Sequence, residues 1–131
     1  MNKMKENQLE KFLEIVNLDE KRVEDEIKGF SIDDDTKKLA ILEVRANAHS
    51  VRTYLGMLAK NNYPLNDDFT RDEEYYELEL GTNRKNMYGQ LTCRLIDHLH
   101  LFRNVPNFIK SGIFSFLEVQ QIIRQFSDLS N

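Results

Sequence analysis

From Thr36 to Lys60 the chain runs 25 residues without a proline, and the first proline of the sequence is Pro64. An α-helix over this stretch is about 37 Å long. Ile41, Val44, Ala48, Val51, Leu55 and Leu58 recur at alternating spacings of three and four, the pattern of a knobs-into-holes seam. Leu39, Leu42, Ala46, His49, Thr53 and Gly56 repeat that spacing shifted by two. At roughly 100° per residue the two stripes lie on nearly opposite sides of the helix. A helix that buries two sides belongs at the centre of a bundle or in a dimer, and the rest of the chain has to fold around it.

Other segments supply partners. Leu9, Phe12, Leu13 and Val16 mark a first helix over about 3–16. Asn17 with Glu20 forms a capping box for a second helix that buries Val23 and Ile27 and ends at Gly29, where a left-handed cap is expected. The acceptors of "SIDDD" suit the start of the central helix. Thr70 with Glu73 is a second capping box, starting a helix near Arg71. A further helix over about 84–103 places Tyr88, Leu91, Leu95, Leu99 and Phe102 on one face, and Pro106 ends it. Ser115 with Glu118 opens a last helix over about 116–128, which buries Phe116, Val119, Ile122, Ile123 and Phe126. The expected fold is all-α: one helical domain over 1–131, a compact bundle of about five helices around the long helix at about 36–60.

Charge is blocked by segment. Residues 1–35 carry 6 basic and 11 acidic side chains (net −5), whereas 36–60 and 81–110 each carry 5 basic and 1 acidic (net +4). Acidic and basic helices lying side by side account for this, and no segment is basic enough to point to nucleic acid. A single cysteine, Cys93, excludes an intrachain disulfide and reads as a small buried thiol. The N-terminus lacks a continuous apolar stretch of the signal-peptide kind, and no apolar run approaches the roughly 20 residues of a membrane span. A cytoplasmic protein is expected, and small size with Asn/Lys-rich composition suggests a bacterial, phage or mobile-element origin.

Three constellations invite chemistry. In "HSVRTYL", His49, Arg52, Thr53 and Leu55 resemble the phosphoacceptor box of sensor histidine kinases, and "RLIDHLHLFR" at 94–103 resembles the later helix of their dimerisation hairpin. That resemblance implies phosphotransfer, with His49 as nucleophile and Arg52 one turn on holding a phosphoryl oxygen. Ser50 and Tyr54 depart from the box at the acidic and proline positions, and no nucleotide-binding segment is present. In the alternative reading His49 fills the small-residue seam between Ala46 and Thr53. Arg94 and His100 match the Arg-x(4–6)-His spacing of helical ribonucleases of the HEPN class, although Leu95 stands where a polar residue normally follows the arginine. His98 and His100 lie two apart and point in different directions, while Asp97 and His100 share a helix face. The further carboxylates of a di-iron bundle are missing, and the Asp33–Asp35 and Asp67–Asp68 runs lack the EF-hand pattern, so no metal or cofactor is expected.

The reading that these residues favour is a non-enzymatic helical protein that binds or regulates a protein partner through a helical surface, and forms a homodimer. Phe108, Ile113 and Phe114 are the candidate partner-binding residues. Phosphotransfer through His49 is the first alternative, and RNA cleavage by Arg94 and His100 the second.

Overall fold

The computed structural model describes residues 6–112. Among these there are four helices: α1 Glu6–Lys28, α2 Asp34–Lys60, α3 Glu73–Leu78 and α4 Thr82–Lys110. The class is all-α as expected, with four helices in place of about five. The helix expected over 116–128 lies outside the described residues. No described helix is long and apolar enough to cross a membrane.

The two helices expected on either side of Asn17 are one. Phe12, Val16, Val23 and Ile27 form a single buried stripe along α1, so a break at Asn17 would interrupt its packing. Asn17 instead uses its side chain across the bundle, where Oδ1 accepts from Arg52 Nη1 at 3.1 Å. α1 stops at Gly29, whose φ is not positive, so the left-handed cap expected there is not used. Asp33 caps α2: its carboxylate accepts from the Thr36 backbone N–H at 2.8 Å, and that bond holds its carboxyl below the ordinary value.

Side-chain pairs give the direction of each helix. Arg45 meets Glu24, and Arg52 meets Asn17 and Glu20, so α1 and α2 are antiparallel. Arg103 meets Asp19 and Lys110 meets Glu26, both 84 positions apart, so α1 and α4 are parallel. The result is an up-down-up three-helix bundle. Acidic α1 lies against the basic positions of α2 and α4, the arrangement that the charge blocks implied. Val16, Val23 and Ile27 of α1, Val44, Ala48, Val51, Leu55 and Leu58 of α2, and Leu95 and Phe102 of α4 have 0% exposure. Burial of each of these side chains larger than alanine contributes roughly 1.5–3 kcal/mol before the entropy of ordering it is subtracted.

α4 continues through Pro106, past the expected end near Arg103. Proline removes one helical hydrogen bond and crowds the preceding turn, a cost of about 3 kcal/mol or more. Continuing the helix buries Val105 and Pro106 and carries Lys110 to Glu26 at 3.1 Å, with its ammonium over the Phe30 ring. Packing therefore overrides the local signal.

The segment between α2 and α4 closes one end of the bundle. Asp72, not Thr70, caps α3, accepting from the Tyr75 backbone N–H at 3.1 Å. Thr70 belongs to the preceding turn, where Asn66 N–H donates to its carbonyl at 2.8 Å. In that turn Phe69 has φ 72°, a left-handed conformation that an aromatic residue seldom adopts. Its ring is 2% exposed and packs 4.9 Å from Phe12, so the core holds the strained backbone in place. Nearby, Tyr88 joins α4 to this segment. Its hydroxyl donates to the Pro64 carbonyl and accepts from the Asp72 backbone N–H at 2.8 Å, and burial pushes its pKa up to about 12.

Tyr88→Phe keeps the ring and leaves both backbone groups without that partner. Urea unfolding should show a loss of about 1–3 kcal/mol. A loss indistinguishable from zero would contradict the role assigned to the hydroxyl.

Candidate functional site

α2 presents two unlike faces. The stripe of Val44, Ala48, Val51, Leu55 and Leu58 is closed by α1 and α4. The second stripe, expected to be a buried seam, faces outward: His49, Thr53 and Gly56 are exposed, and Leu42 is 46% exposed. His49 is therefore not a packed seam residue. The reason is geometric, since α1 and α4 both fit on one arc of α2 that includes Thr36, Ala40, Glu43 and Asn47. Nothing among the described residues covers the opposite arc.

Arg52 does not accompany His49 on that face. Its guanidinium reaches Asn17 at 3.1 Å and Glu20 at 3.4 Å on α1, which draws it towards α1 rather than towards His49. The two kinase-like fragments do lie on neighbouring antiparallel helices, α2 and α4. Where they meet, the chain has built a polar cluster instead.

That cluster consists of Glu43, Asn47 and His98, and sequence reasoning did not single out the first two. Glu43 is 2% exposed and Asn47 0%. The Asn47 amide nitrogen donates to Glu43 Oε1 at 2.7 Å and to the Glu43 carbonyl at 3.0 Å. Its oxygen therefore faces His98 Nδ1, 2.8 Å away. An acceptor there requires the ring proton on Nδ1, which leaves the lone pair of the neutral imidazole on Nε2. Tyr54 stacks on the His98 ring with centroids 5.7 Å apart. Glu43 Oε2 is buried and has no hydrogen-bond partner among the described residues. Burial pushes the Glu43 carboxyl up, against the opposing bond from Asn47. Burial also holds His98 below its ordinary value, against the pull of Asp97. The signal in the sequence was position: Ala40, Glu43 and Asn47 sit at helical spacing beside the core stripe, so Glu43 and Asn47 are polar residues next to apolar ones.

The remaining candidates are dispersed. Arg94 lines a cleft of about 370 Å³ beside α3 together with Arg71, Tyr76, Gln90 and Cys93. His100 lines a different cleft with Asp97, Leu101, Asn104 and Phe108. The ribonuclease pair is thus not brought together. Cys93 is exposed, contrary to expectation, because the buried positions of α4 are Tyr88, Thr92, Leu95 and Leu99, and Cys93 falls outside that stripe. His98 turns inward to Asn47 while His100 faces out. Asp97 and His100 share one groove, and no group of three or more metal-binding side chains exists among the described residues. Phe108 is partly buried on α4, whereas Ile113 and Phe114 lie outside the described residues.

The Glu43 carboxyl makes a pH prediction. Its native pKa lies above the unfolded value near 4.5, so the native state holds a proton that the unfolded chain has already released. Stability from this group is complete below that value and declines as pH rises through the native pKa. Glu43→Gln should therefore match the wild type at pH 4.5 and exceed it at pH 8, by about 1–3 kcal/mol in urea unfolding. A difference that does not vary with pH would contradict this account. Searches with the chain found no matching family model, no matching curated protein and no matching solved structure.

Proposed function

We propose that the protein acts by binding rather than catalysis, through the outer face of α2, and that a second copy of the chain occupies that face. One observation carries the reading. Leu42, Ala46, His49, Ser50, Thr53 and Met57, exposed or partly exposed on the outer arc, have the same spacing in either direction along the helix, with the exposed Arg45 and Gly56 beside them. The large apolar residues stand at the two ends, where Leu42 is 46% and Met57 45% exposed. Small side chains lie between, with His49 and Ser50 at the centre. A two-fold axis there sets Leu42 of one copy against Met57 of the other and Ala46 against Thr53, a self-complementary contact of the kind a symmetric dimer requires. The small residues allow close approach of the two helices. The two arginines within this stretch, Arg45 and Arg52, both pair with acidic residues of α1, Glu24 and Glu20.

The face from Leu42 to Met57 is about 22 Å long and about 10 Å wide. It offers a few hundred Å² per copy, below the roughly 800 Å² of a standard stable interface. The dimer is accordingly weak and depends on concentration.

Exposure of His49 keeps one alternative in view, phosphotransfer, for which a reachable imidazole is the first requirement. Acid-labile label on the wild type but not on His49→Ala, after incubation with a phosphorylated response regulator, would favour it over the binding reading.

Sedimentation equilibrium tests the dimer. The wild type should approach twice its 15.5 kDa chain mass as concentration rises through the micromolar range or above, and Thr53→Arg, a change at an exposed position, should remain a monomer. Ser50→Cys in a Cys93→Ser background should form a disulfide-linked dimer on oxidation. A wild type that stays monomeric at every concentration would overturn the proposal.

A further inference from the structure

The cleft beside α3 has a chemistry that the binding face of α2 does not use. Its polar lining consists of Arg71, Arg94, Asn86, Gln90, Cys93 and the Tyr76 side chain, with no carboxylate among them. Arg71 is held firmly. Its Nε donates to Glu73 Oε1 at 2.8 Å, and its guanidinium carbon lies 4.0 Å over the Tyr76 ring. A bridge between Leu65 and Arg71 fixes its backbone. The plate lies against α4 at Gly89, where a Cβ would stand 3.4 Å from Tyr76 Cε2 and 3.7 Å from Arg71 Nη1, in ordinary van der Waals contact. Fixed in this way, the guanidinium keeps its terminal nitrogens without a hydrogen bond among the described residues. Asn86, Gln90, Cys93 and Arg94 recur at helical spacing along the adjoining stripe of α4. Arg94 is exposed and has no ion-pair partner among the described residues.

Glu73 offsets the charge of Arg71, whereas Arg94 forms no ion pair among the described residues. Arg71 and Arg94 line one cleft together with the amide side chains of Asn86 and Gln90. A planar fork fixed in advance, with a second positive group opposite, suits an oxyanion whose oxygens can accept several N–H bonds at once. We propose that this cleft binds a small oxyanion, a phosphate or a carboxylate, with Arg71 as the fixed donor and Arg94 as the mobile one.

Cys93 is the single cysteine of the chain and lines the cleft, so it reports on occupancy without any added label. The test compares its reaction rates with the dianionic disulfide 5,5′-dithiobis(2-nitrobenzoate) and with the neutral reagent 4,4′-dithiodipyridine. In the wild type the ratio of anionic to neutral rate should fall about tenfold on Arg94→Gln, an exposed substitution that leaves the core intact. Arg71→Gln should lower it as well. Inorganic phosphate or acetate, added at constant ionic strength against a chloride control, should slow both reagents in the wild type and neither in Arg94→Gln. Protection by phosphate alone assigns the site to phosphate, protection by acetate alone to carboxylates, and protection by both to oxyanions in general. A rate ratio unchanged by Arg94→Gln, or protection no greater than that by chloride, would overturn the proposal.

Discussion

The structure depends on one arc of α2. Val44, Ala48, Val51, Leu55 and Leu58 have no exposure, and both long partner helices pack on them. Removing these side chains would leave α1 and α4 with little to hold them together except ion pairs at the surface, which contribute about 0–1 kcal/mol each. Those pairs do something else: Arg45, Arg52, Arg103 and Lys110 reach from two basic helices to one acidic helix and so select the register in which the apolar stripes meet. Burial supplies the stability, and charge supplies the choice among alternative pairings.

The same arc explains the buried polar cluster and the free outer face. With α1 and α4 on one side, Glu43 and Asn47 lie at the α2–α4 contact, where one oxygen of the Glu43 carboxyl has no partner among the described residues. The cluster satisfies Asn47 and His98 but not Glu43 Oε2, so it favours one docking of α4 on α2 at some cost in stability. On the other side, α2 has Leu42 and Met57 in solvent around a run of small residues. A helix face that no described residue covers is a surface for a second helix, and the spacing of its residues is what led us to propose a second copy of the chain there.

Much of this was legible in the sequence, and the failures have physical causes. The long central helix, its inner stripe and the acidic N-cap of α2 followed from spacing and capping chemistry. Local punctuation was over-read at Asn17 and Pro106, because continuous burial on α1 and the Val105–Lys110 contacts outweigh a cap or a lost hydrogen bond. The second stripe of α2 had the correct period but the wrong environment, since periodicity shows that residues share a face and not what lies against it. Cys93 was misplaced for a similar reason, as a small sulfur residue near apolar neighbours says nothing about which side of α4 it occupies. Glu43 and Asn47 were missed because polarity alone assigns such residues to solvent. The Arg71–Arg94 cleft joins residues from two elements, and no spacing within one helix reveals it.

The claim that joins these observations is that α2 has a closed inner face and an outer face that meets a second copy. The imidazole resonances of His49 and His100 test it within one sample, because His49 lies at the centre of the outer face and His100 on the exposed side of α4. Across a dilution series at constant pH, the account predicts that the His49 signals shift with concentration while those of His100 stay fixed. A His49 signal that does not move with concentration, or a His100 signal that moves as far, would contradict it.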